Sequence, residues 1–258
     1  LLFSLMNKNT PSVHNSDYPR VTLTEFRGVL FLHLGTDWIQ GAMRLGKPNE
    51  IVLDYVQQMM IWMLFKDRPS HIVQLGLGSA ALTKFCYHHF SESRITAIEL
   101  NPEVIRICRN TFHLPEDDHR LTVLQADARN YIEAKKYRNE IDILQIDLYD
   151  EQAAAPLFDT SEFYKSCADV LTADGIVTLN IFGNESNRSK SIEALQACFD
   201  SVAWLPEVDG GNVIVIAFKE SPSIGFEDLY RRAQTIRRKT KLKSERWVEG
   251  LYEWMRGS

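Results

Sequence analysis

The stretch HIVQLGLGSAALTKF at residues 71–85, continued by CYHHFSESRITAIEL at residues 86–100, decides the fold. Its first five residues are apolar enough for a strand buried on both faces. Gly76 and Gly78 follow at once, and then an apolar run long enough for a helix over Ser79–Phe90. Glycine admits positive φ and lets a ligand or another backbone come close. The first turn of the helix behind it leaves N–H groups unpaired. A second apolar strand, RITAIEL, ends at Glu99, 23 residues beyond Gly76. Strand, glycine turn, helix and strand in this order make a βαβ unit with parallel strands. The glycine string alone is a weak signal, since it also opens dinucleotide-binding folds.

Toward the C-terminus the alternation continues. Asn101-Pro102-Glu103 opens a helix with a capping side chain and proline at the first helical position. Strands are expected at 121–125 (LTVLQ), 141–147 (IDILQID) and 175–182 (GIVTLNIF), with helices at Ala128–Ala134, Ser161–Leu171 and Lys190–Asp200. Two late strands, near Val202–Leu205 and Asn212–Phe218, lie too close together for a crossover helix and are expected to be antiparallel. The expectation is an α/β, Rossmann-like fold: a mostly parallel seven-stranded sheet with a terminal antiparallel pair. That layout belongs to S-adenosylmethionine (AdoMet)-dependent transferases rather than to dehydrogenases.

Toward the N-terminus, residues 50–65 (EIVLDYVQQMMIWMLF) read as one long apolar helix capped by Asn49. VTLTEF, GVLFLHL and DWIQGAM, separated by turn residues between Val21 and Met43, read as a small antiparallel β extension packed on the main domain. The expected organisation is a lead-in and β extension over 1–48, a nucleotide-binding domain over 49–220 and a basic helical segment over 221–258. Residues 231–246 carry eight basic side chains and one acid, yet no aromatic or groove-reading partners stand beside them. A solvated, salt-bridged helix fits better than a nucleic-acid surface.

Composition narrows the class. With 45% hydrophobic and 24% charged residues among 258, the chain can bury a large core without disulfides or structural metal. Its four cysteines form no CxxC pair, and no Cys/His pair has ligand spacing, so reduced thiols are expected in a cytoplasmic protein and no metal site is expected. No apolar run is long enough to span a membrane, and LLFSLM at the start is too short for a signal peptide. His113 and His119, flanking an acidic turn, read as surface residues. Trp38, Trp62 and Trp204 read as core or interface fillers, with Trp38 close enough in sequence to Gln40 to reach a pocket.

The candidate site gathers at strand ends. A carboxylate at Glu99 can accept hydrogen bonds from both hydroxyls of a ribose, without saying which cofactor carries it. Asp127, followed by Ala128 at the end of the third strand, can accept a bond from an adenine amine. Asp147 ends the fourth strand, and Leu148-Tyr149-Asp150-Glu151 follow. Three acids within five residues make a pocket suited to an amine. An amine is protonated at neutral pH and attacks only after losing that proton, which a neighbouring carboxylate can take. Asn180, at the end of the fifth strand, is a candidate substrate contact.

IVQLGLGSAALTKF, AIELNPEVI, QADARNYI and IDLYDEQAAAPLFDTSEFYKSCADVLTADGIVTLNIFG, in this order and spacing, resemble the spermidine synthase family, as do DWIQGAM and LDYVQQMM. The resemblance runs over roughly residues 20–220. It implies a small N-terminal β domain, a Rossmann-like core and transfer of an aminopropyl group from decarboxylated AdoMet to putrescine, with methylthioadenosine released. It further implies a homodimer or larger assembly. By resemblance, Gln40, Gly76, Gly78, Ser79, Glu99, Asp127 and Ala128 bind AdoMet or its decarboxylated form. Asp147 is the catalytic carboxylate with Asp150 beside it, and Gln58 and Tyr149 meet the substrate. The chain departs from the family where GLGSAA replaces GGGDGG, putting Ser79 near an aspartate's place. Gln58 stands for the glutamate of YQEM, and the proline after the second aspartate of DSSDPxGPA is lost. Two carboxylates that recognise cationic amines are therefore neutral. Three readings stay open: an aminopropyltransferase, an AdoMet-dependent methyltransferase of unknown acceptor, and a non-catalytic nucleotide-binding homologue.

Overall fold

A computed structural model describes residues 18–134, 137–148, 159–183 and 185–257. The chain begins with a three-stranded antiparallel sheet, β1 (Val21–Phe26), β2 (Val29–Leu34) and β3 (Gly41–Arg44). The third strand is shorter than DWIQGAM suggested, because residues 35–40 form a turn. The His33 imidazole holds that turn. Its Nδ1–H points at the carbonyls of Asp37 (3.2 Å) and Trp38 (3.1 Å), which leaves Nε2 to accept from the Thr24 hydroxyl at 2.8 Å.

Residues 50–65 are not the long helix expected. α1 (Asp54–Gln58) gives way to a 3₁₀ turn at Ile61–Leu64. Its second half is apolar all round, and Met59, Met60, Ile61, Trp62 and Leu64 are all fully buried. Packing on every side, not an amphipathic stripe, shapes it. Asn49 does not cap α1. Leu53 sits at the cap position with no side-chain bond, and Asp209 reaches across the molecule to accept the Tyr55 N–H at 2.8 Å.

The main sheet follows the alternation read from the sequence. In chain order come β4 (His71–Leu75), α2 (Ala81–His89), β5 (Arg94–Glu99), α3 (Pro102–Asn110), β6 (Leu121–Gln125), α4 (Ala128–Glu133) and β7 (Ile141–Ile146). Then come α5 (Ser161–Val170), β8 (Leu171–Phe182), α6 (Glu185–Gln196), β9 (Ser201–Trp204), β10 (Asn212–Phe218), α7 (Phe226–Thr240) and α8 (Ser244–Gly257). The strand order is β6-β5-β4-β7-β8-β10-β9. Pairs are parallel up to β8, and β10 runs antiparallel to both β8 and β9. The chain leaves β4 toward β5 and later returns to its other side as β7. The crevice beyond the carboxyl ends of β4 and β7 is therefore the switch point where ligands bind in such sheets.

Alternate residues of the strands feed two cores, one on each face. One holds Ile72, Ile95 and Ala97 with α2, α3, α7 and α8. The other holds Val73, Leu75 and Ile98 with α4, α5 and α6. The first core also takes in Val21, Leu32 and Met43 of the small sheet and Leu229 and Trp247 of the C-terminal helices. Trp62 lies in this core as expected, and His113 and His119 are exposed. The basic segment is partly tied down: Arg232 donates to the carbonyls of Leu64 and Phe65, Arg237 pairs with Glu245 and Lys243 with Asp54. No helix among the described residues is long and apolar enough to cross a membrane.

Candidate active site

Gly76 and Asp147 follow the two strands at the switch point, and they touch. Gly76 has φ +89, and a Cβ there would lie 2.2 Å from the Asp147 carbonyl oxygen. Only glycine fits so close an approach. Gly78, at φ +51, packs as closely on the small sheet, where a Cβ would come within 2.8 Å of the Gln40 carbonyl oxygen. The glycine turn is thereby wedged between β7 and the end of the small sheet. Ser79 is buried and faces the small sheet, donating its hydroxyl to the Ala42 carbonyl at 3.3 Å.

Beneath the turn, buried amides hold the two central strands in register. Gln74 donates to the Gln145 side chain at 2.9 Å and accepts from the Thr83 hydroxyl at 2.6 Å, and Gln145 donates to the Met59 carbonyl at 3.0 Å. Every donor and acceptor named here is matched, as a buried polar network requires.

Asp147 lies on the floor of a cavity of about 380 Å³, lined by Asp37, Trp38, Ile39, Gln40, Leu53, Tyr55, Asn180, Phe182, Asp209 and Asn212. Asn180 donates to Asp147 Oδ1 at 2.9 Å, and the Tyr55 hydroxyl points at Oδ2 from 3.5 Å. Burial pushes the Asp147 pKa above the usual carboxylate value, while the donors Asn180 and Tyr55 oppose the rise. Burial and the nearby charges of Asp147 and Asp209 push the Tyr55 phenol well above its ordinary value, so it remains a donor. Trp38 is exposed rather than in the core, and it reaches the pocket as its place beside Gln40 allowed, meeting Phe182 edge-on at 5.4 Å.

A second group sits over the tips of β4, β5 and β6. Glu99 is half-buried and accepts backbone N–H groups, on Oε2 from Leu77 at 3.0 Å and on Oε1 from Asn101 at 2.8 Å, with the Leu100 N–H a further donor. Burial pushes its pKa up, and these N–H groups oppose the rise. Asp127 caps α4, accepting the Asn130 N–H on Oδ1 at 2.9 Å, and Ala128 is buried behind it. Of the residues read from the sequence, Gln40, Asp147 and Asn180 share the cavity wall. Gly76, Gly78 and Glu99 adjoin that wall through the glycine turn. Gln58 is not among the described lining residues, and its amide instead reaches the Pro206 carbonyl at 3.5 Å. Tyr149 and Asp150 lie outside the described residues. Asp37 of DWIQGAM, Tyr55 of LDYVQQMM and Asp209 also line the cavity.

The fold defines a transferase of the Rossmann-like class, with Asp147 facing the crevice at the switch point. The chain belongs to the spermine/spermidine synthase family, whose domain model matches residues 54–227. It is similar to the polyamine aminopropyltransferase of Neisseria meningitidis serogroup A, 34% identical over 239 residues, or 92% of this chain and 90% of that one. Among solved structures, a probable spermidine synthase from Corynebacterium glutamicum matches with TM-score 0.71 at 18% identity, covering 88% of each chain. Human methyltransferase-like protein 13, solved with SAH, matches with TM-score 0.67 at 20% identity, covering 74% of this chain and 93% of that one. The two solved structures agree on the fold and leave the transferred group open.

Proposed function

We propose that this protein transfers an aminopropyl group from decarboxylated AdoMet to a small amine, with Asp147 taking the proton. The observation that carries the reading is Asp147 itself. It stands at the switch point, facing a cavity, half-buried, raised in pKa and gripped on one oxygen by Asn180. A carboxylate so placed holds an ammonium and accepts its proton as the nitrogen attacks. The nitrogen–carbon bond forms as the sulfonium carbon–sulfur bond breaks, and methylthioadenosine leaves.

The residues present suit the nucleoside. Glu99 presents, at the tip of β5, a carboxylate oriented by the backbone N–H groups of Leu77, Leu100 and Asn101, a group that accepts from a ribose hydroxyl. Asp127 has one oxygen left for an adenine amine after capping α4, and Gln40 stands where the glycine turn meets the cavity. We further propose that Asp150 and Tyr149 complete the acceptor side and that the protein is a cytoplasmic homodimer. Exposed Phe26 at the end of β1 and exposed Leu45 just after β3 support self-association.

A second reading, methyl transfer from AdoMet, is favoured by one observation. No carboxylate stands at Ser79, whose hydroxyl is turned to Ala42, so a co-substrate keeping its own carboxylate meets no opposing charge there. Parallel calorimetric titrations with AdoMet and decarboxylated AdoMet separate the two, since tighter binding of the decarboxylated form is expected. Asp147→Asn is then expected to lower turnover about 10²- to 10⁴-fold while leaving the affinity for the nucleoside nearly unchanged. If neither ligand binds, both readings fall.

A further inference from the structure

A second cavity, of about 690 Å³, opens at the other end of β4 from the glycine turn. One wall is the loop Lys66-Asp67-Arg68, which leads into β4, and the facing wall is α7. Gly76 leaves the carboxyl end of β4, so roughly 16 Å of strand lies between this cavity and the candidate active site. On α7, Arg231, Thr235 and Lys239 follow at four-residue steps and line the cavity in one row, with Arg232 and Ile236 in the row beside it.

The charges here do not cancel. Lys66 is matched by Asp142 and Asp174, and Arg231 by Asp228. Among the described residues no carboxylate pairs with Arg68, Arg232 or Lys239, and the lining sets only Asp67 against them. Three cations facing one acid leave a surplus of two positive charges, in a chain whose net charge is −5. His89 at the rim is pushed down in pKa by burial and adds no charge at neutral pH. A salt-bridged surface helix accounts for Arg231, Arg237 and Lys243, but not for Arg232 and Lys239. Arg232 is fixed in place, its Nη1 donating to the carbonyls of Leu64 and Phe65 at 3.1 Å each. Its Nε and Nη2 have no protein acceptor among the described residues. Met63, Phe90 and Ile236 add apolar surface to the same cavity.

We infer that this cavity binds a phosphate monoester of nucleotide size, at a site separate from the reacting crevice. Such an ester carries close to two negative charges at neutral pH and three acceptor oxygens, which matches the surplus. The planar Arg232 fork takes two of those oxygens side by side. The organic group lies against Met63, Phe90 and Ile236, and the volume is within the range of small-molecule sites. Arg68 and Lys239 are exposed, so their share of the binding is screened by salt. The inference does not depend on the reaction proposed above.

The test is calorimetric titration of the whole chain at pH 7.5 with uridine 5′-monophosphate, uridine and inorganic phosphate, each with and without saturating methylthioadenosine. A uracil nucleotide is chosen because it does not imitate an adenosyl co-substrate. The nucleotide is expected to bind about five-fold or more tighter than inorganic phosphate, more weakly as salt is raised, and equally well in the presence of methylthioadenosine. Uridine is expected not to bind. Arg68→Gln combined with Lys239→Gln, both at exposed positions, is expected to weaken nucleotide binding about ten-fold with the melting temperature unchanged. Arg27→Gln combined with Arg256→Gln, which removes the same charge elsewhere on the surface, is expected to leave it unaltered. The inference is overturned if wild type does not bind the nucleotide, if inorganic phosphate or uridine binds as well, or if methylthioadenosine displaces it. Equal binding by wild type and the Arg68/Lys239 variant, or equal weakening by the control pair, overturns it too.

Discussion

Asp147 is held between two opposed influences, burial that raises its pKa and the Asn180 amide that lowers it. The amide bond stabilises the ionised form, so removing it makes the carboxylate keep its proton to higher pH. Asn180→Ala is therefore expected to move the acid limb of the pH–rate profile upward and to cost about ten-fold in rate at neutral pH. A limb that stays in place would show that Asp147 is not the group titrating. Asp147, Glu99 and Asn180 were legible because each ends a strand, and strand ends in an open α/β sheet converge on one crevice. Tyr55 was not, because it sits inside an apolar run that reads as core. Asp37 and Asp209 were not, because they lie in turns whose approach to the cavity depends on contacts between distant segments.

The turn joining β4 to α2 illustrates what an element owes to its neighbours. Gly76→Ala would force a side chain into positive φ and against the Asp147 carbonyl oxygen, a backbone atom that cannot swing aside. Gly210→Ala imposes similar backbone strain, but nothing lies within 4 Å of the new Cβ. Urea unfolding should show a loss of about 3 kcal/mol or more for the first and about 1 kcal/mol for the second. Equal losses would mean that strain alone, not the approach to Asp147, keeps glycine at 76. Most elements announced themselves locally: short continuous apolar runs, buried on both faces, mark the central strands, and Asn101 caps α3 by accepting the Glu103 N–H, as its sequence position implied. Residues 50–65 did not, since the uniformly apolar second half of the segment carries no period, and long-range packing with a cap from Asp209 decided its course.

The small sheet, the central sheet and the C-terminal helices share one core, so the boundaries drawn from composition near residues 48 and 221 do not separate independent interiors. Lys84 shows the join most clearly. Fully buried on α2, it donates to the carbonyls of Pro48 at 2.7 Å and Phe112 at 2.6 Å. Burial lowers its pKa from 10.5 to about 8. Between those values the unfolded chain keeps a proton that the folded one has released, so the Lys84 contribution to stability improves as pH rises. The stability of wild type relative to Lys84→Met should therefore increase between pH 8 and 10, by up to about 3 kcal/mol. Thermal melts of both proteins across that range check it, and a flat difference would mean that Lys84 stays charged in the fold. The strand order carries one more consequence. Because β10 lies between β8 and β9, β9 leaves the ribosome before β10, its pairing partner among the described residues, exists. During translation its Val202 and Ala203 must wait uncovered, and the pocket has no far wall until Asp209 and Asn212 have been added. A stalled nascent chain that already contains Gly76, Glu99 and Asp147 therefore presents the glycine turn and the strand-end carboxylates before the opposite wall of the cavity has been made.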